Sequence, residues 1–370
     1  MNQPIRILQA FVANDKGGLT GYIIQNYRFI DKNKVQFDFL TFETKKLDFE
    51  DEFIALGAKF YHIKRPSRPW DYYKELKKIF DETTYKAVHF NLSYNNFISV
   101  YLAKIAGARK IIIHSHSTEV DDKRYGIRCI KRGIHQIGKA IIPKIASYYL
   151  ACSTEAGLWM FKKSIMHSKN YHLAHNAIDV PKYLYDSQKN QKVREDLGIA
   201  LNDYVIGHIG RFSYQKNHDF LVRVFKKVLD RKPNAKLVLI GDGPDYDKIK
   251  TKVKNLKIEE SVLFLGRRND VPQLLQAIDC FVLPSRFEGL VISGIEAQAA
   301  GVPCVVSDVI SRELDITGMV KYCSLDDISV WVDSIFKSKK EKIDRKTIGY
   351  KGYDIEQEIK KMEQFYLTIN

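Results

Sequence analysis

Two glutamates, Glu288 and Glu296, stand eight positions apart in the stretch Asp279–Gly301, DCFVLPSRFEGLVISGIEAQAAG. Asp279–Pro284 is a short apolar run closed by proline, the pattern of a buried strand. Ser285–Gly289 is a polar turn, and from Leu290 small and apolar residues recur at helical spacing as far as Gly301, a stop signal with Pro303 just beyond. A strand, a tight turn and a helix amino end form a crevice at the carboxyl edge of a parallel sheet. Backbone N–H groups and the helix dipole favour an anion there. On this spacing one carboxylate lies in the turn and the other about 12 Å along the helix, so the pair can address different parts of one elongated, phosphate-bearing ligand.

Other candidates supply the opposite charge. Val205–Gly210 reads as a strand, and Arg211 and Lys216 follow it before a helix near Asn217. Two cations at a strand's carboxyl end suit a diphosphate, since Arg grips phosphate oxygens in pairs and Lys adds a point charge. KLVLIGDGPDYDKI is strand, glycine turn with Gly241 and Gly243, then helix. In the first half, the strand Lys110–His114 runs into Ser115-His116-Ser117-Thr118. His114 and His116 can both do chemistry, and the pattern does not settle which of them faces a ligand. Gly17, Gly18 and Gly21, after the strand Ile5–Val12, let the backbone approach a ligand closely before a helix near Thr20.

The elements that must position these groups alternate strand and helix in both halves, which predicts parallel sheets covered on both faces. VQFDFLTF, AKFYHI, AVHFNL and KIIIH are strands of the first half; SVLFLG and PCVVSD belong to the second. With 370 residues the chain fits two domains, and 45% hydrophobic with 28% charged residues is ordinary for a globular protein. Five scattered cysteines, mostly in apolar runs, suggest reduced core thiols without a disulfide frame or zinc spacing. The first residues lack the pattern of a cleaved signal, and no apolar stretch reaches the length that crosses a bilayer. Net charge is +15, concentrated in residues 1–185, which hold 29 Lys and Arg against 17 Asp and Glu. An anionic surface or nucleic acid is the partner such asymmetry suggests. Within 123–147, cations alternate with Ile127, Ile130, Ile134, Ile137 and Ile141 at helical spacing. That stripe is either core or the apolar face of a helix lying on anionic membrane. No reading helix and no interleaving of aromatics with cations supports nucleic acid.

SRFEGLVISGIEAQAAGVPCVVSD closely resembles the signature of the family-4 retaining glycosyltransferases of GT-B fold, whose two glutamates sit in a Ser-x-x-Glu-Gly … Glu-Ala-x-Ala-x-Gly-x-Pro frame. Gly210-Arg211 followed by Lys216-Asn217, and the Gly241-x-Gly243-Pro244 turn, resemble further parts of that family; Asn176-Ala177-Ile178-Asp179 departs from its Asn-Gly-Ile-Asp junction by one glycine. The resemblance covers nearly the whole chain and is sharpest between residues 205 and 308. It implies an α/β chain of two doubly wound, Rossmann-like domains facing a central cleft: 1–180 for the acceptor, 181–354 for a nucleotide sugar, with a final helix in 355–370 returning to the first. It implies that Glu296 holds the ribose hydroxyls, and that Glu288 with Gly289 and Leu290 addresses the sugar and β-phosphate. Arg211 and Lys216 then stabilise the leaving diphosphate, Arg267 lies along the base, and His116 lies against the donor sugar, where a neutral imidazole can donate a hydrogen bond to a hydroxyl. No metal or other cofactor is expected. Asp245-Tyr246-Asp247 matches the metal motif of the other major glycosyltransferase fold, yet acids in a helix's first turn have a capping explanation. The segments VQFDFL, SHST and HNAID look most like the branch that builds bacterial capsule and exopolysaccharide. Retention of configuration, a UDP-hexose or UDP-N-acetylhexosamine donor, a lipid-diphosphate-linked acceptor and a cytoplasmic place on the inner membrane face follow as expectations. The rival readings are a UDP-sugar epimerase of the same fold and a basic nucleic-acid-binding protein.

Overall fold

The computed structural model describes residues 3–14, 18–120, 122 and 124–369; Gly17, named above, and Lys123, the first residue of the basic stretch 123–147, lie outside them. The chain divides into two compact units, one running to Ala177 and including the helix from Ile355, the other Ile178–Asp354.

The first unit is built on seven parallel strands: β1 Ile5–Val12, β2 Val35–Thr41, β3 Phe60–His62, β4 Ala87–Leu92, β5 Ile111–Ser115, β6 Tyr148–Ala151 and β7 Tyr171–Leu173. They lie in the order β3-β2-β1-β4-β5-β6-β7. β2, β4 and β5 are buried at every position, including the polar Gln36, Asp38, His89 and Asn91. Successive residues feed opposite faces. Ile7 joins a core with Tyr27, Phe37, Phe39 and the C-terminal helix residues Ile359 and Tyr366, while Leu8 joins another with Leu76, Phe90 and Ile111.

The second unit repeats the plan with six strands: β8 Tyr204–Ile209, β9 Ala235–Ile240, β10 Val262–Gly266, β11 Cys280–Leu283, β12 Cys304–Ser307 and β13 Val320–Cys323. Their order is β10-β9-β8-β11-β12-β13. In each sheet the winding reverses once, between β1 and β4 and between β8 and β11, and such switch points are where doubly wound sheets open a crevice at the strands' carboxyl ends.

Two local expectations are corrected, and a third point that the sequence left open is decided. The helix after β11 is Ile292–Ala299 and does not begin at Leu290. Leu290 and Val291 are buried, and Val291 has extended φ/ψ, so these two apolar residues fill the core before the helix turns. Glu288 lies in the turn and Glu296 on the helix, as the spacing predicts. Gly21 sits inside the helix Gly18–Phe29 rather than in a loop. The helix Tyr125–Ile141 turns its isoleucines outward: Ile130, Ile134 and Ile137 are 64%, 38% and 56% exposed. Its inward face is His135 and Gly138. A Cβ at Gly138 would lie 2.5 Å from the Asn95 Cβ, and the His135 ring stacks on Trp159 at 3.9 Å. Close approach through a glycine sets the rotation, and the stripe is not core.

Among the described residues no helix is long and apolar enough to cross a membrane. Four of the cysteines are buried, Cys129 is exposed, and all five are free.

Candidate functional site

At the carboxyl edge of the second sheet, three adjacent strand ends are tied together by main-chain bonds. Gly210 N–H donates to the Ile240 carbonyl at 2.9 Å, Gly241 N–H to Gly266 at 2.8 Å, and Phe212 N–H to Asp242 at 3.0 Å. Gly241 has φ +138, and a Cβ there would lie 2.1 Å from the Gly210 oxygen. Only glycine allows the two loops to lie this close. Arg211 is exposed beside the second glycine of that turn: a Cβ on Gly243 would meet its Cγ at 3.0 Å.

Lys216 runs its stem back over Gly210, whose hypothetical Cβ would be 3.1 Å from Lys216 Cδ and Cε. Its Nζ donates to Glu288 Oε1 at 2.7 Å, and Gln215 Nε2 donates to Glu288 Oε2 at 3.0 Å and to the Phe287 carbonyl at 3.0 Å. Arg286 N–H returns a bond to the Gln215 carbonyl at 2.8 Å. Asn217, in the left-handed region at φ 54, donates to the Pro284 carbonyl at 3.1 Å and accepts from Arg286 Nη2 at 2.8 Å. The loops after β8 and β11 are thus laced across the switch point. Glu288 is 7% exposed, and Lys216 supplies the compensation its buried charge requires. Gly289, at a bend, and Leu290 follow directly from it and lead through Val291 to the helix amino end.

Glu296 projects from the helix Ile292–Ala299 and accepts the Tyr183 hydroxyl proton at 2.5 Å. Burial pushes its carboxyl above the usual range, with the Tyr183 bond pulling the other way. Arg267 is exposed and lies 3.5 Å from Asp242 in the glycine turn. Asp245 and Asp247 open the helix Tyr246–Asn255.

Two buried histidines behind Lys216 escaped the sequence reading. His208 Nδ1 lies 2.8 Å from the Val282 carbonyl, and His218 stacks on Phe212 at 3.9 Å. Burial first, opposed by the Val282 carbonyl, then the Lys216 charge, bring His208 down to about 3; His218 is lowered by burial, His208 and Lys216. Both stay neutral and leave Lys216 as the positive charge at this point. Gln215 and Tyr183 were also passed over, because a lone side chain in a turn carries no spacing signal of its own.

In the first unit, His116 N–H donates to the Leu92 carbonyl at 3.0 Å, extending the edge of β5 by one residue. Its ring lies 4.0 Å from that of His114, since residues two apart on a strand share a side. His116 Nε2 is 3.0 Å from Asn91 Oδ1, and burial holds the imidazole down to about 3. His114 lies deeper, fully buried. Gly18 begins the helix Gly18–Phe29 that follows β1.

Residues 189–351 match the family model described as glycosyl transferases group 1. The chain is 30% identical, over 96% of its own length and 94% of the relative's, to a Bacillus subtilis (strain 168) protein, EpsF, named as a glycosyltransferase. It is 23% identical, over 80% of its length and 78% of the relative's, to the Escherichia coli UDP-Gal:alpha-D-GlcNAc-diphosphoundecaprenol alpha-1,3-galactosyltransferase. Among solved structures, Anabaena HepE in complex with UDP and glucose superposes with a TM-score of 0.77 over 99% of this chain and 100% of that one, at 17% identity. The sheet orders are those of the GT-B fold, and by sequence the chain belongs to the group 1 glycosyl transferases.

Proposed function

We propose that this glycosyltransferase moves a hexose or N-acetylhexosamine from a UDP-sugar to a lipid-diphosphate-linked glycan, with retention of configuration and without a metal, in bacterial capsule or exopolysaccharide synthesis. The observation that carries the reading is the Lys216–Glu288 pair spanning the β8/β11 switch point, with Arg211 exposed on the same loop. A diphosphate seated there meets a fixed ammonium and an exposed guanidinium, which stabilise the charge that grows as the bond from the sugar's anomeric carbon to phosphate breaks. Glu288, whose two oxygens are held by Lys216 and Gln215, presents a rigid edge to the sugar, with the Gly289 and Leu290 amides directed to the β-phosphate. Glu296 takes the ribose hydroxyls, Gly241 keeps the turn beneath the phosphates open, and Arg267 lies along the base. In the first unit His116, with the Gly18 helix start, addresses the donor's sugar and the acceptor. The leaving phosphate oxygen takes the acceptor hydroxyl's proton.

The relative that uses an undecaprenol-diphosphate acceptor supports the acceptor class. The outward isoleucines of Tyr125–Ile141, beside the exposed Arg124, Arg132 and Lys144, support docking on an anionic inner-membrane surface.

Thermal shift against a panel of UDP-sugars, followed by transfer to a short lipid-diphosphate glycan in EDTA, tests the reading. One UDP-sugar raises the melting temperature and is transferred without added metal. Arg211→Ala and Glu288→Gln each lower kcat about 100-fold or more, and Glu288→Gln also lowers the melting temperature because Lys216 loses its buried partner. Unaltered transfer in both variants, or isomerisation of the UDP-sugar with no acceptor present, overturns it.

A further inference from the structure

His116 is one end of a buried polar chain that crosses three strands and reaches the C-terminal helix. Asn91 Oδ1 lies 3.0 Å from His116 Nε2, and Asn91 Nδ2 is 3.0 Å from Gln9 Oε1. Gln9 Nε2 is 3.2 Å from the Tyr366 hydroxyl, that hydroxyl is 2.6 Å from His89 Nδ1, and His89 Nε2 is 3.2 Å from His114 Nδ1. Gln9, His89, Asn91, His114 and Tyr366 are all buried.

Such a chain can run in either of two directions, since every amide can be turned over and every imidazole retautomerised. A main-chain group breaks the tie. The Asn91 nitrogen also faces the His89 carbonyl at 3.5 Å, and a carbonyl can only accept. Turned over, Asn91 would set oxygen against oxygen. With Nδ2 fixed as the donor, Asn91 Oδ1 must accept, so His116 Nε2 carries its proton. Gln9 Oε1 accepts from Asn91 and Gln9 Nε2 donates to Tyr366. The Tyr366 proton goes to His89 Nδ1, and His89 Nε2–H goes to His114. The His116 Nδ1 is left with a bare lone pair, buried and without a hydrogen-bond partner among the described residues.

We propose that this one-way chain locks His116 as the Nε2–H tautomer, so that its Nδ1 accepts a hydrogen bond from a hydroxyl of the bound sugar, with Asn91, oriented by the His89 carbonyl, as the positioning residue. The polarity is opposite to that expected of a histidine donating to the sugar. Only the last step, the sugar contact, rests on the function proposed above; the tautomer does not.

Histidine-selective ¹⁵N labelling of the full chain, with the His116→Gln spectrum to assign the resonance, reads the protonation of both ring nitrogens directly. At pH 7 the expected result is a bare Nδ1 and a protonated Nε2; the reverse tautomer, or an imidazolium, overturns the proposal. In Asn91→Leu the acceptor that holds the Nε2 proton is lost, and His116 becomes a mixture of tautomers while kcat falls about 3- to 10-fold. A folded Asn91→Leu protein with an unchanged His116 signal shows a packing role alone and overturns the positioning assignment. If the chain direction holds and saturating UDP-sugar leaves the Nδ1 resonance unmoved, it is the placement of His116 on the donor that fails.

Discussion

Glu288 and Glu296 are both carboxylates in crowded places, and their surroundings answer differently. Glu288 has an ammonium 2.7 Å away, whereas Glu296 is held by the Tyr183 hydroxyl. A neutral donor compensates a buried charge less well than a cation, so desolvation prevails and the Glu296 carboxyl is raised from 4.5. For an acid whose pKa is higher folded than unfolded, stability is fully present at low pH and is lost as pH rises through the folded value. Ionised Glu296 therefore destabilises the protein at neutral pH. Glu296→Gln keeps the acceptor for Tyr183 and removes the charge. The unliganded variant should melt roughly 2–4 °C higher than the parent at pH 7, with the gap closing as pH falls below the ordinary carboxylate range. Donor affinity should drop, because the amide loses the charge that a vicinal diol favours. Melting curves from pH 4 to 8 check the sign; a gap that does not vary with pH assigns the effect to packing.

Elements made mostly of local pattern were legible. Strands buried on both faces declare themselves as short apolar runs, and the frame around Glu288 and Glu296 marks the loop after β11 and the helix that follows. What failed did so where tertiary packing overrode local periodicity. Leu290 and Val291 continue the helical spacing but are drawn into the core first. For the isoleucine stripe of Tyr125–Ile141 the pattern left core and surface both open, and Gly138 meeting Asn95 turns it outward. The hydrogen-bond chain through Gln9 and Tyr366 joins residues 357 positions apart and leaves no trace in spacing. Glycine shows the same limit. Gly21 and Gly241 both read as loop glycines, yet a Cβ at Gly21 meets nothing within 4 Å, inside a helix, while one at Gly241 meets the Gly210 oxygen at 2.1 Å with φ +138. Gly21→Ala should raise stability by about 0.5–1 kcal/mol through helix propensity. Gly241→Ala should cost about 3 kcal/mol and weaken donor binding, since the Arg211–Lys216 loop must shift to admit the methyl group. Urea midpoints of the two variants separate these cases; equal effects would show that the turn is not under the constraint described.

Charge and apolar exposure coincide on one part of the molecule. The basic excess belongs to residues 1–185, and within them the helix Tyr125–Ile141 shows Tyr125, Ile130, Ile134 and Ile137 to solvent. A soluble helix ordinarily turns such a stripe inward, and here the inward face is already taken by His135 and Gly138, so the isoleucines contribute little to folding. On an anionic bilayer the same residues gain on both counts: apolar side chains leave water, and nearby Lys and Arg each add about 1 kcal/mol close to the surface. The triple change Ile130→Ser, Ile134→Ser and Ile137→Ser should leave the melting temperature within about 2 °C and the turnover of a water-soluble acceptor analogue intact. It should abolish the flotation with vesicles rich in phosphatidylglycerol that is expected of the parent protein at low salt and that should fade as salt screens the cationic contribution. Parent protein that fails to float, or a triple variant that floats as well as the parent, would leave the stripe without a membrane role.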